Sequence, residues 1–255
     1  MEMAELELTI LLPALAAGLL VTATHVPLGM QVLARGIVFI DIAIAQIAGV
    51  GVIAADMLGF EPQGFAVQLS ALAAALLGAL LLTWTDKRWP QVQEAIIGSV
   101  FVLAATLEIL LLAGNPHGGE YLRELLVGQI LWVGGHQLTV AAVLTAVILV
   151  VWFGAGERRI GRIGFYGLFG LAVTISVQMV GIYLVFSTLI IPALATRNAT
   201  RRRLLKAYAV GALGYAAGIV ASVVTDLPTG PTIVWALAVV GVTASALEKA
   251  PEPVS

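Results

Sequence analysis

The sequence predicts an all-α polytopic membrane protein: a compact bundle of about eight or nine transmembrane helices, a single transmembrane domain over 1–255 with no soluble domain. Three observations predict it. Hydrophobic residues fill 60% of the 255 positions and charged residues only 11%, whereas a soluble domain carries about 25% charge. The mean hydropathy is +1.02. Apolar runs are also broken at regular intervals by charged or Gly/Pro-rich punctuation. One spanning helix takes about 20 residues, so the chain has room for that many spans and little else. Zero cysteines exclude a disulfide scaffold and cysteine chemistry, and a net charge of −2 argues against nucleic acid as a partner.

The runs are 8–30, 36–55, 65–84, 95–113, 138–154, 163–181, 182–196, 207–225 and 231–247. The first follows the acidic stretch Met1–Glu7, which lacks the basic n-region of a signal peptide and so reads as a retained helix. The stretch 163–196 has no charge, yet is too long for one helix and short for two. Gly181 and Pro192 are the places where it is expected to bend or turn. Nine spans put Arg35, Lys87, Arg88, Arg158, Arg159, Arg162, Arg197, Arg201, Arg202, Arg203, Lys206 and Lys249 on one side, leaving only Arg123 opposite. The positive-inside rule makes that side cytoplasmic. Glu2, Glu5, Glu7, Asp56, Glu61, Glu120, Glu124 and Asp226 fall outside.

Few polar residues interrupt the spans. Asp41 lies about five residues into the second one. A carboxylate there costs a few kcal/mol on insertion scales and is rarely left facing lipid. It reads either as a pathway residue and transient cation ligand or as an interhelical hydrogen-bond anchor. Gln46, about 140° further around the helix, favours a packing hydrogen bond, with a place on the pathway as the alternative. Glu108 sits one to two turns from the outer end of the fourth span, where snorkelling to the interface is the simpler reading. Gln178 in the sixth span reads as a similar interhelical contact. His25, His117 and His136 share no ligand spacing, so a stably bound metal is not expected. No nucleophile elbow, His-Glu-x-x-His or phosphate-binding Gly-x4-Gly-Lys-Ser/Thr occurs, so the chain by itself is not expected to hydrolyse ATP.

Four segments in this order resemble the permease subunits of the bacterial ABC importers for zinc, manganese and iron. They are Pro27-Leu28-Gly29 through Arg35 to Asp41, read as a turn and following helix; Glu94-Ala95-Ile96-Ile97-Gly98; Val180–Val185 with Leu189–Arg197; and Asp226–Val234. The resemblance covers nearly the whole chain. It implies an inner-membrane permease that binds no cofactor and forms a homodimer with the pathway between its copies. It also implies a cytoplasmic ABC ATPase subunit and an extracytoplasmic solute-binding protein as partners. Asp41 and Gln46 become the candidate pathway residues. Family members often carry a His four residues after the equivalent of Asp41, where this chain has Ala45. The remaining oxygen donors tilt the substrate slightly toward manganese or another harder cation. Permeases for siderophores or cobalamin are the alternative within transport, disfavoured by length. An intramembrane enzyme is disfavoured by the scarcity of ionisable residues at depth, and a membrane subunit without ATPase coupling is the third reading.

The resemblance places the ATPase contact in the loop after the fifth span. Here that loop is only Gly154–Arg162, with three glycines. Glu157, Arg158, Arg159 and Arg162 are its candidate contact residues. The other basic loop, Arg197–Lys206, is long enough for a short helix capped by Asn198 or Thr200. It reads as a topology signal that also binds anionic membrane lipid.

Overall fold

A computed structural model describes residues 2–61 and 64–247; the side chains of 2–8, 157 and 158 lie outside the description. The helices are α1 (Glu2–Arg35), α2 (Ile40–Met57), α3 (Phe65–Arg88), α4 (Gln93–Leu112), α5 (Gly118–Val127), α6 (Gly135–Ala155), α7 (Glu157–Val180), α8 (Ile182–Ala195), α9 (Arg203–Thr225) and α10 (Thr229–Leu247). Among the described residues, eight of them are long and apolar enough to cross a membrane, and α8 is apolar but shorter. At 1.5 Å per residue its 14 residues rise only about 21 Å. That is less than the ~30 Å hydrocarbon core.

The stretch 163–196 divides at Gly181, which has φ 82° and serves both as the C-cap of α7 and the N-cap of α8. Pro192 lies inside α8 and does not end it. The contacts show that the chain reverses at Gly181. At its start α7 meets α3 through Arg162 and Asp86, at its end it reaches Gly128 in the link between α4 and α6, and α8 then returns so that Ile191 and Ala195 meet Gly241 late in α10. Arg35, Lys87, Arg159 and Arg197 therefore share one end of the bundle, with Asp56 and Asp226 at the other.

Two expectations are corrected. Pro27 and Gly29 make no turn, because α1 runs unbroken to Arg35 and the turn falls at 36–39, with Gly36 at φ 68°. The reason is a hydrogen bond. Pro27 has no N–H, so it leaves the Ala23 carbonyl four residues back without its helical donor. The Tyr208 hydroxyl of α9 donates to that carbonyl at 3.0 Å. A helix broken by proline survives in a membrane when a neighbour satisfies the freed group. Arg197–Arg202 is the second correction. It forms no helix, and α9 begins only at Arg203, after Arg202 in the left-handed region at φ 52°.

The same economy holds along α10. At its start the Leu227 carbonyl, which lies before the helix, takes the Ser222 hydroxyl of α9 as its donor at 2.7 Å. Most other buried hydroxyls bond within their own helix, as Thr22 does to Gly18 and Thr174 to Gly170. Between helices, Ser70 donates to the Gly51 carbonyl at 2.7 Å and Thr188 shares a 2.9 Å bond with Tyr215. The centre is built from α1, α2, α7 and α8, with Ile40, Ile44, Phe169, Val173, Leu184 and Leu189 fully enclosed. The outer faces of α4, α6 and α10 present Leu103, Leu110, Val150 and Val242. Those are side chains suited to lipid.

Tyr208→Phe should lower the thermal stability of the detergent-solubilised protein by about 0.5–2 kcal/mol. In a Pro27→Ala background the same change should cost less, because residue 27 then donates to Ala23 itself. Equal losses in both backgrounds would show that the proline and the tyrosine are not coupled.

Candidate functional site

A cavity of about 640 Å³ opens among α2, α4, α5, α8 and α10. Most of its wall is apolar, with Ile42, Phe101, Leu126 and Trp235 prominent. Two side chains with amide or carboxylate oxygens reach it, Gln46 from α2 and Glu108 from α4, and Tyr183 and Ser187 of α8 complete its polar lining. Ser187 is already committed to the Tyr183 carbonyl at 2.7 Å. Gln46 is 3% and Glu108 2% exposed, and one oxygen of each finds no hydrogen-bond partner.

Glu108 does not snorkel. Its carboxylate lies directly against Gly49 of α2, where a β-carbon would collide with Oε1. The periodicity of α2 explains the arrangement: Ile42, Gln46 and Gly49 recur at helical spacing on one face, while Ile44, Ile47 and Gly51 turn toward α3. Asp41 belongs to neither group. It is 1% exposed, does not line the cavity, and its Oδ1 lacks a partner. The structure thus brings Gln46 together with Glu108 and leaves Asp41 apart, about 7 Å nearer the basic end along the helix.

The segment 114–137, between the fourth and fifth sequence-defined spans, covers the outer end of this cavity. In α5 one face is apolar, and Leu122, Leu126 and Val127 line the cavity. Beyond it Ile130 is buried and a short 3-10 turn packs against α1. The junction is made by glycines. Gly128, at φ 71°, lies against the backbone of Val180 and Gly181, and Gly230 lies against the Val127 carbonyl. Only residues without a β-carbon allow that approach. Tyr121 of α5 is half-buried; burial first, and then Asp56, Glu108 and Glu124, push its phenol up to about 12. It stays neutral and marks where three carboxylates converge.

At the basic end, α2 begins at the Phe39 N-cap, whose N–H donates to Glu94 Oε1 at 3.3 Å. Glu94 opens the second of the motif segments, and its role as a carboxylate at the α2 N-terminus was not legible without the contact. The link after α6 is short, as expected: Gly156 at φ 72°, one helical turn, and a break in α7 at Gly161 at φ 62°. Arg162 then bonds Asp86 at 3.3 Å across to α3, and the Arg35 guanidinium lies 4.2 Å over the Phe165 ring. Arg159 is exposed, whereas the side chains of Glu157 and Arg158 lie outside the described residues.

Among the described residues, no group of three or more His, Asp or Glu is placed to hold a metal ion. His25 is fully buried in α1, with Nδ1 3.0 Å from both the Val21 carbonyl and Thr24 Oγ1. His117 and His136 are exposed.

The family model described as the ABC 3 transport family matches residues 7–155 and 157–248. The chain belongs to the ABC 3 transport family. It is a multi-pass membrane protein with a transport role. It is similar to the manganese transport system membrane protein MntC of Halalkalibacterium halodurans, with 26% identity over 243 residues, covering 87% of this chain and 81% of that protein. Its fold is that of PsaBC from Streptococcus pneumoniae in complex with Fab, with a TM-score of 0.74 and 20% identity over 92% of this chain and 90% of that one. The two stretches of this ABC 3 chain that match the family model adjoin at Gly156, the hinge between α6 and α7.

Gly128→Ala should abolish folded yield, because the new methyl meets the Val180 and Gly181 backbone at a φ that L-residues resist. Gly135→Ala, at a position with open space, should leave yield intact. Size-exclusion profiles of the two variants in detergent check this.

Proposed function

We propose that this chain is the permease subunit of an ATP-driven importer of divalent metal ions in the bacterial inner membrane. The observation that carries the reading is the cavity: in a chain of a transport family, its buried amide and carboxylate oxygens have no protein donor. Oxygen ligands suit manganese and other harder cations better than zinc. The naming of the similar H. halodurans protein as a manganese transport component and Ala45 at the position of the family histidine support the same choice. Zinc and iron are the competing substrates. Delivery from outside falls to a solute-binding protein, and ATP hydrolysis to a separate cytoplasmic ATPase.

Two copies pair as a homodimer, with the side of the cavity left open by one bundle closed by the other. Asp41 and Gln46 are pathway residues on successive turns of α2. An ion leaving Gln46 for the basic end passes the level of Asp41. Glu157, Arg158, Arg159 and Arg162 form the ATPase contact. Arg162, itself half-exposed, is bonded to the largely buried Asp86, and an ion pair at the surface contributes only about 0–1 kcal/mol. Its value here is mechanical, since it ties the contact turn to α3. Arg197 and Arg201–Arg203 act as a topology signal and bind anionic lipid.

Expressed with its ATPase and solute-binding protein in a strain lacking metal uptake, the chain should restore manganese accumulation more than zinc or iron. Asp41→Asn should cut the rate on the order of tenfold at unchanged folded yield. Loss of yield with normal specific activity would instead make Asp41 a packing anchor. Reversing Arg158 and Arg159 to Glu should uncouple ATP hydrolysis from uptake, whereas reversing Arg201–Arg203 should lower membrane insertion. Coupling lost only in the second variant would move the contact to the other loop.

A further inference from the structure

We propose that Glu108 and Gln46 form a resting site for the transported divalent cation, entered from the acidic rim made by Asp56 and Glu124 beside Tyr121. This rests on the import reading above and names the residues that hold the ion. Three observations on the structure converge on it. Both side chains are buried and line one cavity, yet Glu108 Oε1 and Gln46 Oε1 have no donor. Both orphan oxygens can accept, and an ionised carboxylate offers acceptor sites alone. A group that supplies positive charge completes them, and a cation of oxygen-ligand preference does so directly.

The second observation is steric. Gly49 leaves the space into which the Glu108 carboxylate fits; its missing β-carbon would touch Glu108 Oε1 first and Leu125 at 3.7 Å. A glycine inside α2 costs about 1 kcal/mol of helix propensity relative to alanine, and here it seats an acid rather than a neighbouring helix backbone. The third is the approach. Asp56 lies in the last turn of α2, Glu124 and Tyr121 lie on α5, and the carboxylates of Asp56, Glu124 and Glu108 all act on the Tyr121 phenol. Clefts lined by one sign of charge raise the local concentration of counter-ions. An incoming ion descends from that rim past Leu122 to Glu108 and Gln46. With only two protein oxygens assured, it retains water in the remaining positions, which keeps the site weak enough to release its ion.

The test uses the full-length chain in lipid nanodiscs with Mn2+ as the probe, the bound ion being read from loss of the free-ion signal in electron paramagnetic resonance. Wild type should bind Mn2+. Glu108→Gln should weaken binding about tenfold or more, and Gln46→Leu should weaken it less. Gly49→Ala keeps every charge and meets only the ends of flexible side chains, so it should fold, displace the carboxylate and weaken binding too. Glu108→Asp should retain part of the affinity. Size-exclusion profiles confirm that each variant is folded, and Gly49→Ala carries the test should Glu108→Gln fail to fold. Wild-type affinity in folded Glu108→Gln or Gly49→Ala, or no binding by wild type, overturns the site. Uptake by the assembled importer is measured in parallel. Uptake by wild type with unchanged binding in the variants sinks this inference and leaves the import reading standing. Glu108-dependent binding without uptake of manganese, zinc or iron supports the site and sinks the import reading.

Discussion

No water reaches the hydrocarbon core to satisfy a backbone carbonyl, so each polar group in this bundle needs a partner from the protein. The course of α1 depends on that. Pro27 frees the Ala23 carbonyl, Tyr208 bonds it, and the helix continues to Arg35 instead of turning early. The Tyr208 bond also fixes where α9 lies against α1. Ser222 on the Leu227 carbonyl does the same for the α9–α10 turn, with Thr229 2.8 Å away as a second tie. Asp41, Gln46 and Glu108 each keep an oxygen outside this rule. His25, Gln93, Glu94, Tyr166 and Arg203 also keep a buried polar atom without a partner, but only Gln46 and Glu108 among the unpartnered groups line the cavity. Polar groups retained at depth without partners in a membrane protein mark places where something else supplies the interaction.

Space for that something comes from the backbone. Gly128, Gly181 and Gly230 bring three chain segments into contact at the acidic end, and this junction starts α8 one residue after α7 ends. The short α8 and the amphipathic α5 then wall a cavity rather than filling it. At the other end, the Gly161 break, the Arg162–Asp86 pair and the Arg35–Phe165 contact connect the α6–α7 link to α3 and α1. Glu94 on the Phe39 N–H connects α4 to the start of α2.

Much of this was legible beforehand, for physical reasons. Membrane spans announce themselves by length and hydropathy, and the basic loops sort to one end because the chain alternates. The break at Gly181 was visible as an uncharged stretch of the wrong length. Helix α5 is too short to read as a span and carries Glu120, Arg123 and Glu124, so its apolar face emerges only when the 3.6-residue period is read over its ten residues. The turn at Pro27 was misplaced because a proline signals a break only where nothing replaces its lost hydrogen bond. Tyr208, 181 residues further on, replaces it.

Sequence by itself determined the class of the molecule, the approximate spans, the segregation of basic from acidic loops and the set of ionisable residues that had to be explained. All of these follow from local composition and from the thickness of a bilayer. Which acid faces the cavity was decided by tertiary structure alone. Glu108 looked close enough to the interface to reach water, and Asp41 looked like the central carboxylate. The rotation of α2 against α4, set by Gly49 on one face and Ile44, Ile47 and Gly51 on another, turned Glu108 and Gln46 into the cavity and Asp41 away from it. Helical phase between two elements is a property of their packing, and no residue of either helix encodes it alone.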